Sequence, residues 1–151
     1  VIANLIGHDR PSGSPGGLLN VVWLAFLSGM VMTAWDLVVD PFLTAPPFEA
    51  WVWVDGGPYF GIPLQNFAGW LLTTFTVYLI YRLIEHWRPP VGLGGIGAAL
   101  VIMPLIAYGA IMISNSFAGM SPEAMRLIGP FAMGLPLALA LTRWFRYRAA
   151  G

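Results

Sequence analysis

The chain has 151 residues, of which 58% are hydrophobic and only 9% are charged, and its formal net charge is zero. An ordinary soluble domain carries about 25% charged residues, so this composition is that of a protein whose solvent is lipid. All seven basic residues are arginines and no basic surface can be assembled for a phosphate backbone, which excludes nucleic acid as a partner.

Four apolar segments are long enough to cross a membrane, since a hydrocarbon core of about 30 Å takes about 20 residues of helix. They predict helices over about 18–43, 63–81, 92–113 and 122–144, within a single domain that covers residues 1–151. Residues 1–6 are also apolar, and we expect them to be the tail of an earlier helix. The predicted fold class is an all-α membrane protein, a bundle of about four transmembrane helices.

The first predicted helix carries two acidic residues, Asp36 and Asp40, near its outer end. Because they are one turn apart, they project from nearly the same face. A charge at the bilayer centre costs about 3 kcal/mol on insertion scales, so an acid within a membrane helix indicates function. Neighbouring carboxylates in a medium of low dielectric disfavour two full charges, and we expect the pair to share a proton near neutral pH. The structural alternative is that the helix ends at Pro41 and the carboxylates are hydrated or bind loop N–H groups.

Residues 46–62, which follow, are rich in Pro, Gly and Trp and cannot form a regular helix. Trp51 and Trp53 suit the membrane interface, where an indole keeps its ring in the acyl boundary and its N–H in water. Two interpretations stay open. The segment is either an interfacial loop or a re-entrant loop that lines a cavity, since non-helical backbone at membrane depth is tolerated only where protein covers it.

The second predicted helix presents a polar stripe at helical spacing, formed by Asn66, Trp70 and Thr73 or Thr74, which we expect to face the bundle. Hydrogen bonding between helices accounts for the threonines at least as well as catalysis does. Asn66, beside the Gly-rich loop, is the better candidate for the acid site.

Aromatic residues close to the acids in the chain are Trp35, Tyr59 and Phe60, and Trp70 lies one helical turn beyond Asn66. A ring face can stabilise a cation, and packing in the core is the alternative role for each of them.

The third and fourth predicted helices carry packing features rather than chemistry. Glycines at the start of the third helix would let a neighbouring backbone approach closely, and prolines should bend both helices. These residues are Gly92, Gly94, Gly95 and Gly97, and Pro104, Pro130 and Pro136.

The arginines predict the orientation, because cytoplasmic flanks carry excess positive charge. If the four helices alternate in direction, Arg126 falls alone on the outer side and both termini are expected to be cytoplasmic. The other arginines fall together on the cytoplasmic side: Arg10, Arg82, Arg88, Arg143, Arg146 and Arg148.

Residue types that the chain lacks exclude several membrane enzymes and pigment proteins. Without Lys there is no retinal Schiff base, and without Cys there is no thiolate nucleophile or iron–sulfur ligand. Membrane di-iron enzymes need many His ligands, whereas this chain has only His8 and His86, both predicted on the cytoplasmic side.

Three segments together carry a resemblance to a known family. They are MTAWDLVVDP at residues 32–41, WVW at 51–53 and GGPYFGIPLQNFAGW at 56–70. In order and spacing they resemble the signature of the membrane carotenoid 1,2-hydratases of the CruF type, over about 40 residues of the chain. The other helices resemble that family in hydropathy alone.

The resemblance implies a hydratase, a lyase of carotenoid biosynthesis that adds water across the terminal C1–C2 double bond of a linear carotenoid such as lycopene or gamma-carotene. It implies no cofactor and no metal, with Asp36, Asp40 and Asn66 as catalytic residues and Trp35, Tyr59, Phe60 and Trp70 against the substrate. The expected location is a prokaryotic inner membrane, in contact with lipid.

Two alternatives stay open because members of that family are usually longer, with additional helices before the Trp-Asp segment. The chain could be a non-catalytic carotenoid-binding or accessory subunit of a larger membrane complex, for example a photosynthetic one. It could also be a purely structural helical subunit among other membrane subunits.

Overall fold

The computed structural model describes residues 1–8, 16–88, 97–117 and 121–150. Over these residues it contains helices, turns and one isolated β-bridge, between Tyr59 and Ile62. The elements are α1 (Ile2–His8), α2 (Leu18–Thr44), α3 (Leu64–Trp87), α4 (Gly97–Phe117), α5 (Met125–Gly129), a short π-helix (Pro130–Gly134) and α6 (Leu135–Ala150).

Four helical stretches are long and apolar enough to cross a membrane: Leu18–Thr44, Leu64–Trp87, Leu100–Phe117 and Met125–Ala149. The last of these combines α5, the π-helix and α6 into one span. The predicted all-α membrane bundle is therefore confirmed. Three helices end later than predicted: α3 at Trp87 rather than at about 81, α4 at Phe117 rather than at about 113, and α6 at Ala150 rather than at about 144. Residues 92–96, predicted to open the third helix with Gly92, Gly94 and Gly95, lie outside the described residues.

Prolines set the ends of the two helices that matter most here. The residue before a proline is disfavoured in the α conformation. Helix α2 ends at Thr44, and its C-cap Ala45, which precedes Pro46, is extended, with φ −78° and ψ 152°. Likewise α3 ends at Trp87, and its C-cap Arg88, which precedes Pro89, has φ −105° and ψ 146°.

Pro41, in contrast, does not end α2, which continues through it to Thr44. The interpretation in which the helix stops at Pro41 is therefore wrong. A proline inside a helix leaves the carbonyl four residues earlier without its usual N–H partner, and that carbonyl belongs to Leu37. The hydroxyl of Tyr59 donates a hydrogen bond to the Leu37 carbonyl oxygen at 2.8 Å, so the acceptor that Pro41 leaves free is used by the loop.

The prolines predicted to bend the last helix lie at its irregular part. The π-helix begins at Pro130, and Pro136 follows in the first turn of α6. A proline removes a backbone donor, and single π turns are a common way for a helix to absorb such an interruption. The span thus stays helical while its hydrogen-bond register changes.

Helix α2 lies at the centre of the bundle, in contact with α1, α3, α4, α5 and the π-helix. About two fifths of its most apolar stretch is buried, whereas only 11% of the corresponding stretch of α3 is buried. Helix α3 therefore packs on α2 by one face and leaves the other, with Leu72, Val77 and Ile80, to lipid or to another subunit.

The short helix α1 packs against α2 and α6. Leu5 is fully buried, and Gly7 approaches Leu24 so closely that a Cβ at Gly7 would lie 2.8 Å from a Leu24 methyl carbon. Asn4, also on α1, accepts a hydrogen bond from the guanidinium of Arg82 near the end of α3. Arg82 is therefore buried in the bundle and not only a flanking anchor, and it also pairs with Glu85 at 2.7 Å.

Candidate functional site

The two aspartates of α2 face the interior of the bundle. Asp36 is 2% exposed and Asp40 is 4% exposed, so both residues are buried. The helical repeat aligns them on one side of a helix whose other residues are almost all apolar. Both carboxyl groups lie within hydrogen-bonding distance of the same side-chain nitrogen, that of Asn66.

Asn66 joins the two aspartates. It lies in the first turn of α3, which begins at Leu64 after Pro63, and the close packing of α3 on α2 brings it to the acid-bearing end of α2. Its side-chain nitrogen donates to an oxygen of Asp40 at 2.7 Å and to an oxygen of Asp36 at 3.0 Å. A primary amide carries two N–H groups, so each carboxyl receives one of them and the three side chains form a single polar cluster.

This polar cluster opens into a cavity of about 550 Å³, which we call the acid cavity. Most of its wall is apolar or aromatic, and its polar groups gather at the two aspartates and Asn66. The lining residues are Met32, Trp35, Asp36, Val39, Asp40, Leu43, Trp51, Val52, Trp53, Asn66 and Trp70. A cavity of this size and character is typical of a site for a largely apolar small molecule with a few convergent polar contacts.

The loop between α2 and α3 forms part of this wall. Trp51 and Trp53 both line the acid cavity. This position agrees with either interpretation of residues 46–62, which differ in the depth of the loop in the membrane. A tight turn closes the loop, in which Tyr59 and Ile62 pair through their backbones. Gly57 fits against this turn only because it lacks a side chain, since a Cβ there would lie 2.1 Å from the Ile62 carbonyl carbon.

Of the four predicted aromatic residues, Trp35 and Trp70 line the acid cavity together with the two aspartates, and the other two do not. Tyr59 and Phe60 do not line the acid cavity. Their rings lie edge to face at 4.8 Å, and Tyr59 also contacts Phe67 at 5.1 Å. Burial raises the pKa of Tyr59 to about 12, which keeps its hydroxyl protonated as a hydrogen-bond donor. In this structure, Tyr59 holds the loop on α2.

The polar stripe predicted on α3 reaches the site only at Asn66 and Trp70. Thr73 is exposed, and Thr74 donates to the carbonyl of Trp70 in its own helix at 2.6 Å. Residues that the sequence did not assign to the site are Met32, Val39, Leu43, Trp51, Val52 and Trp53. A signal for the first three exists, because they lie three or four residues from one of the two aspartates on the same helical face.

Among the described residues, no group of three His, Cys, Asp or Glu side chains is placed to hold a metal ion. The chemical groups that the acid cavity offers are two carboxyls, one amide and several ring faces. Together these can donate a proton, accept a proton, and surround an apolar substrate while both take place.

Four helices long and apolar enough to span a membrane, with a buried acid pair beside a mostly apolar cavity, define an integral membrane protein. The family model described as "Carotenoid biosynthesis protein" matches residues 1–141. The chain belongs to this carotenoid biosynthesis family. No curated protein and no solved structure matches the chain.

Proposed function

We propose that this protein is a carotenoid hydratase, which adds water to the terminal C1–C2 double bond of a linear carotenoid and forms a tertiary alcohol. The observation that carries the proposal is the cluster of Asp36, Asp40 and Asn66 at the polar end of an otherwise apolar cavity. Hydration of an alkene needs one proton donor, one proton acceptor and a water molecule beside a hydrocarbon, and the carboxyl pair supplies the first two.

The proposed reaction starts from a protonation state in which Asp36 and Asp40 share one proton. The protonated carboxyl donates to the less substituted carbon of the double bond, and a tertiary cation forms at its neighbour beside the rings of Trp35 and Trp70. Water bonds to the cation, and the second carboxylate takes one proton from it. One proton has left the pair and one has entered it, so the pair returns to its starting state and the net change is one added water.

Asn66 has a defined part in this sequence of steps. Asn66 orients both carboxyls toward the acid cavity. Its two N–H groups keep their hydrogen bonds to the carboxyls whichever of the two is charged. The surrounding apolar wall limits the access of bulk water to the cation, which favours reaction with a single held water.

The test replaces one carboxyl at a time. Asp36→Asn and Asp40→Asn are expected to lower hydration by about 10²- to 10⁴-fold, the usual contribution of general acid–base catalysis, while the protein stays inserted and folded. The matched control is Asp55→Asn. Asp55 is an exposed acid in the loop between α2 and α3, and it does not line the acid cavity. The assay is expression in cells that make lycopene or gamma-carotene, with product mass measured for one added water.

Each outcome of this assay separates the possible functions. Wild-type activity in both aspartate variants would refute the mechanism. Carotenoid that copurifies with the wild-type protein but is never hydrated would support the non-catalytic carotenoid-binding or accessory subunit instead. Absence of both pigment and product would support the structural subunit.

The location belongs to the same proposal. The proposed location is a prokaryotic inner membrane with both termini in the cytoplasm. The orientation is supported by the arginines, since all of them except Arg126 fall on one side if the four spans alternate in direction. The protein's substrate and product then both reside in the lipid, and the exposed face of α3 is the surface that meets lipid or further membrane subunits.

A further inference from the structure

A second cavity, of about 270 Å³, lies farther along the bundle, and we call it the distal cavity. Its lining includes Ser28 and Val31 of α2, Tyr78 and Arg82 of α3, and Tyr108 of α4. Two residues, Met32 and Trp35, line both this cavity and the acid cavity. The two cavities are therefore neighbours that meet at Met32 and Trp35.

One unbroken face of α2 lines both cavities. The α2 residues in the two walls are spaced by three and then by one along the helix, which is the pattern of a single helical face. They are Ser28, Val31, Met32, Trp35, Asp36, Val39, Asp40 and Leu43. From first to last this face is about 22 Å long, at 1.5 Å of rise per residue.

Helix α3 repeats the pattern on the opposite wall. Asn66 and Trp70 line the acid cavity, and Tyr78 and Arg82 line the distal cavity, in a series with a spacing of four residues. Only Thr74, at the middle of that series, lines neither cavity. Facing stripes on two packed helices describe a groove that runs along both of them, from the acid pair to the buried Arg82.

We propose that the two cavities form one channel for a single extended linear polyene, whose reacting end lies beside Asp36 and Asp40 and whose other end passes Met32 and Trp35 into the distal cavity. The direction of the polyene rests on the proposed function. The channel itself rests on the two aligned helix faces and on the two residues that the cavities share.

The shape and polarity of the channel suit an extended polyene. It is far longer than the few atoms around a reacting double bond require, and its wall is mostly apolar with flat rings along it. The charged side chains in its wall lie at its two ends, Asp36 and Asp40 at one and Arg82, which pairs with Glu85, at the other. The stretch between them is mostly apolar, as an extended hydrocarbon chain requires.

Met32 is then the residue that sets substrate length. A methionine is unbranched and flexible, so it can move aside for a thin chain, and a rigid bulky ring in its place would close the passage. The test variant is Met32→Trp. Its matched control is Met30→Trp, since Met30 is 45% exposed on the same helix and lines neither cavity.

A second variant fills the distal cavity without touching the passage. Ser28 is buried, lines the distal cavity and bonds only to the Leu24 carbonyl of its own helix at 2.8 Å. Ser28→Leu therefore removes cavity space and leaves no partner on another helix unsatisfied. It decides the question if Met32→Trp fails to fold.

The experiment gives each purified variant two substrates: lycopene and a short terpene with the same trisubstituted end group. We expect Ser28→Leu to lower lycopene hydration by about 10-fold or more and to leave hydration of the short terpene within about twofold, the size of effect that pocket shape achieves. Met32→Trp should lower lycopene hydration at least as strongly, and more than it lowers hydration of the short terpene, because Met32 lines the acid cavity as well as the passage. Met30→Trp should match the wild type on both.

Pigment binding keeps this test separate from the proposed function. Lycopene retained by the wild type and by Met30→Trp, but lost from folded Met32→Trp or Ser28→Leu, supports the channel even where nothing is hydrated. Lycopene retained and hydrated equally by all four proteins overturns it, and so does a distal cavity found to hold a lipid acyl chain while lycopene is turned over normally.

Discussion

Replacing Asn66 with leucine tests whether the amide does more than fill space. Leucine has the same branching and number of side-chain heavy atoms, but it carries two methyl groups in place of the amide oxygen and nitrogen, so it is larger and donates no hydrogen bond. The change removes the contacts to Asp36 and Asp40, at 3.0 and 2.7 Å, and the extra volume lies beside the acid cavity, which has room for it. The variant should still insert and fold, because an apolar side chain is at least as compatible with a membrane helix as an amide.

The expected loss of rate follows from the charge on the two carboxyls. In the resting state one carboxyl is charged and one is neutral, whereas after proton transfer to the alkene both carry charge. A hydrogen bond to a charged group contributes about 1.5–3 kcal/mol and one to a neutral group about 1 kcal/mol. Asn66 therefore stabilises the transition state by about 0.5–2 kcal/mol more than the resting state, and its loss lowers kcat about 2- to 30-fold.

The assay is kcat and KM for lycopene hydration by purified protein in vesicles, with Gln65→Leu as the control. Gln65 is the exposed neighbour of Asn66, and it undergoes the same chemical change without lining the acid cavity. A folded Asn66→Leu protein with wild-type kcat would show that this reasoning is mistaken. A change confined to KM would place Asn66 in substrate binding instead.

Two further predictions concern the loop that covers the acids. Tyr59→Phe leaves the Leu37 carbonyl without its donor, so thermal unfolding in detergent should reveal a loss of about 1–3 kcal/mol with lower activity, and an unchanged melting curve would contradict that role. Gly57→Ala forces a methyl group into the Ile62 backbone and should destabilise the protein by about 3 kcal/mol or more. The control is Gly69→Ala, which has open space at its Cβ and should leave the melting curve unchanged or raise its midpoint. Equal effects of the two glycine variants would disprove the close contact.

The number and nature of the helices could be predicted from the sequence because few backbone conformations are stable in lipid. A backbone in hydrocarbon must satisfy its own hydrogen bonds, so a long apolar segment is a helix whatever its neighbours are. The inward direction of Asp36 and Asp40 follows from the same constraint combined with their one-turn spacing. The buried positions of both carboxyls agree with that prediction.

What the sequence could not supply are the contacts between segments far apart in the chain. Asn66 meets Asp36 across 30 residues, and Arg82 meets Asn4 across 78 residues. The free acceptor at Leu37 could be deduced from Pro41 alone, but several hydroxyl groups could have satisfied it. That Tyr59 does so depends on how the loop folds back, and local pattern does not encode this.

The hydrogen bond between Tyr59 and Leu37 also has a consequence for biogenesis. The turn of α2 that holds Asp40 and Pro41 lacks a full set of bonds until the following segment has been synthesised and has returned to it. Completion of the turn that carries Asp40 is therefore linked to the insertion of α3, which follows the loop that contains Tyr59.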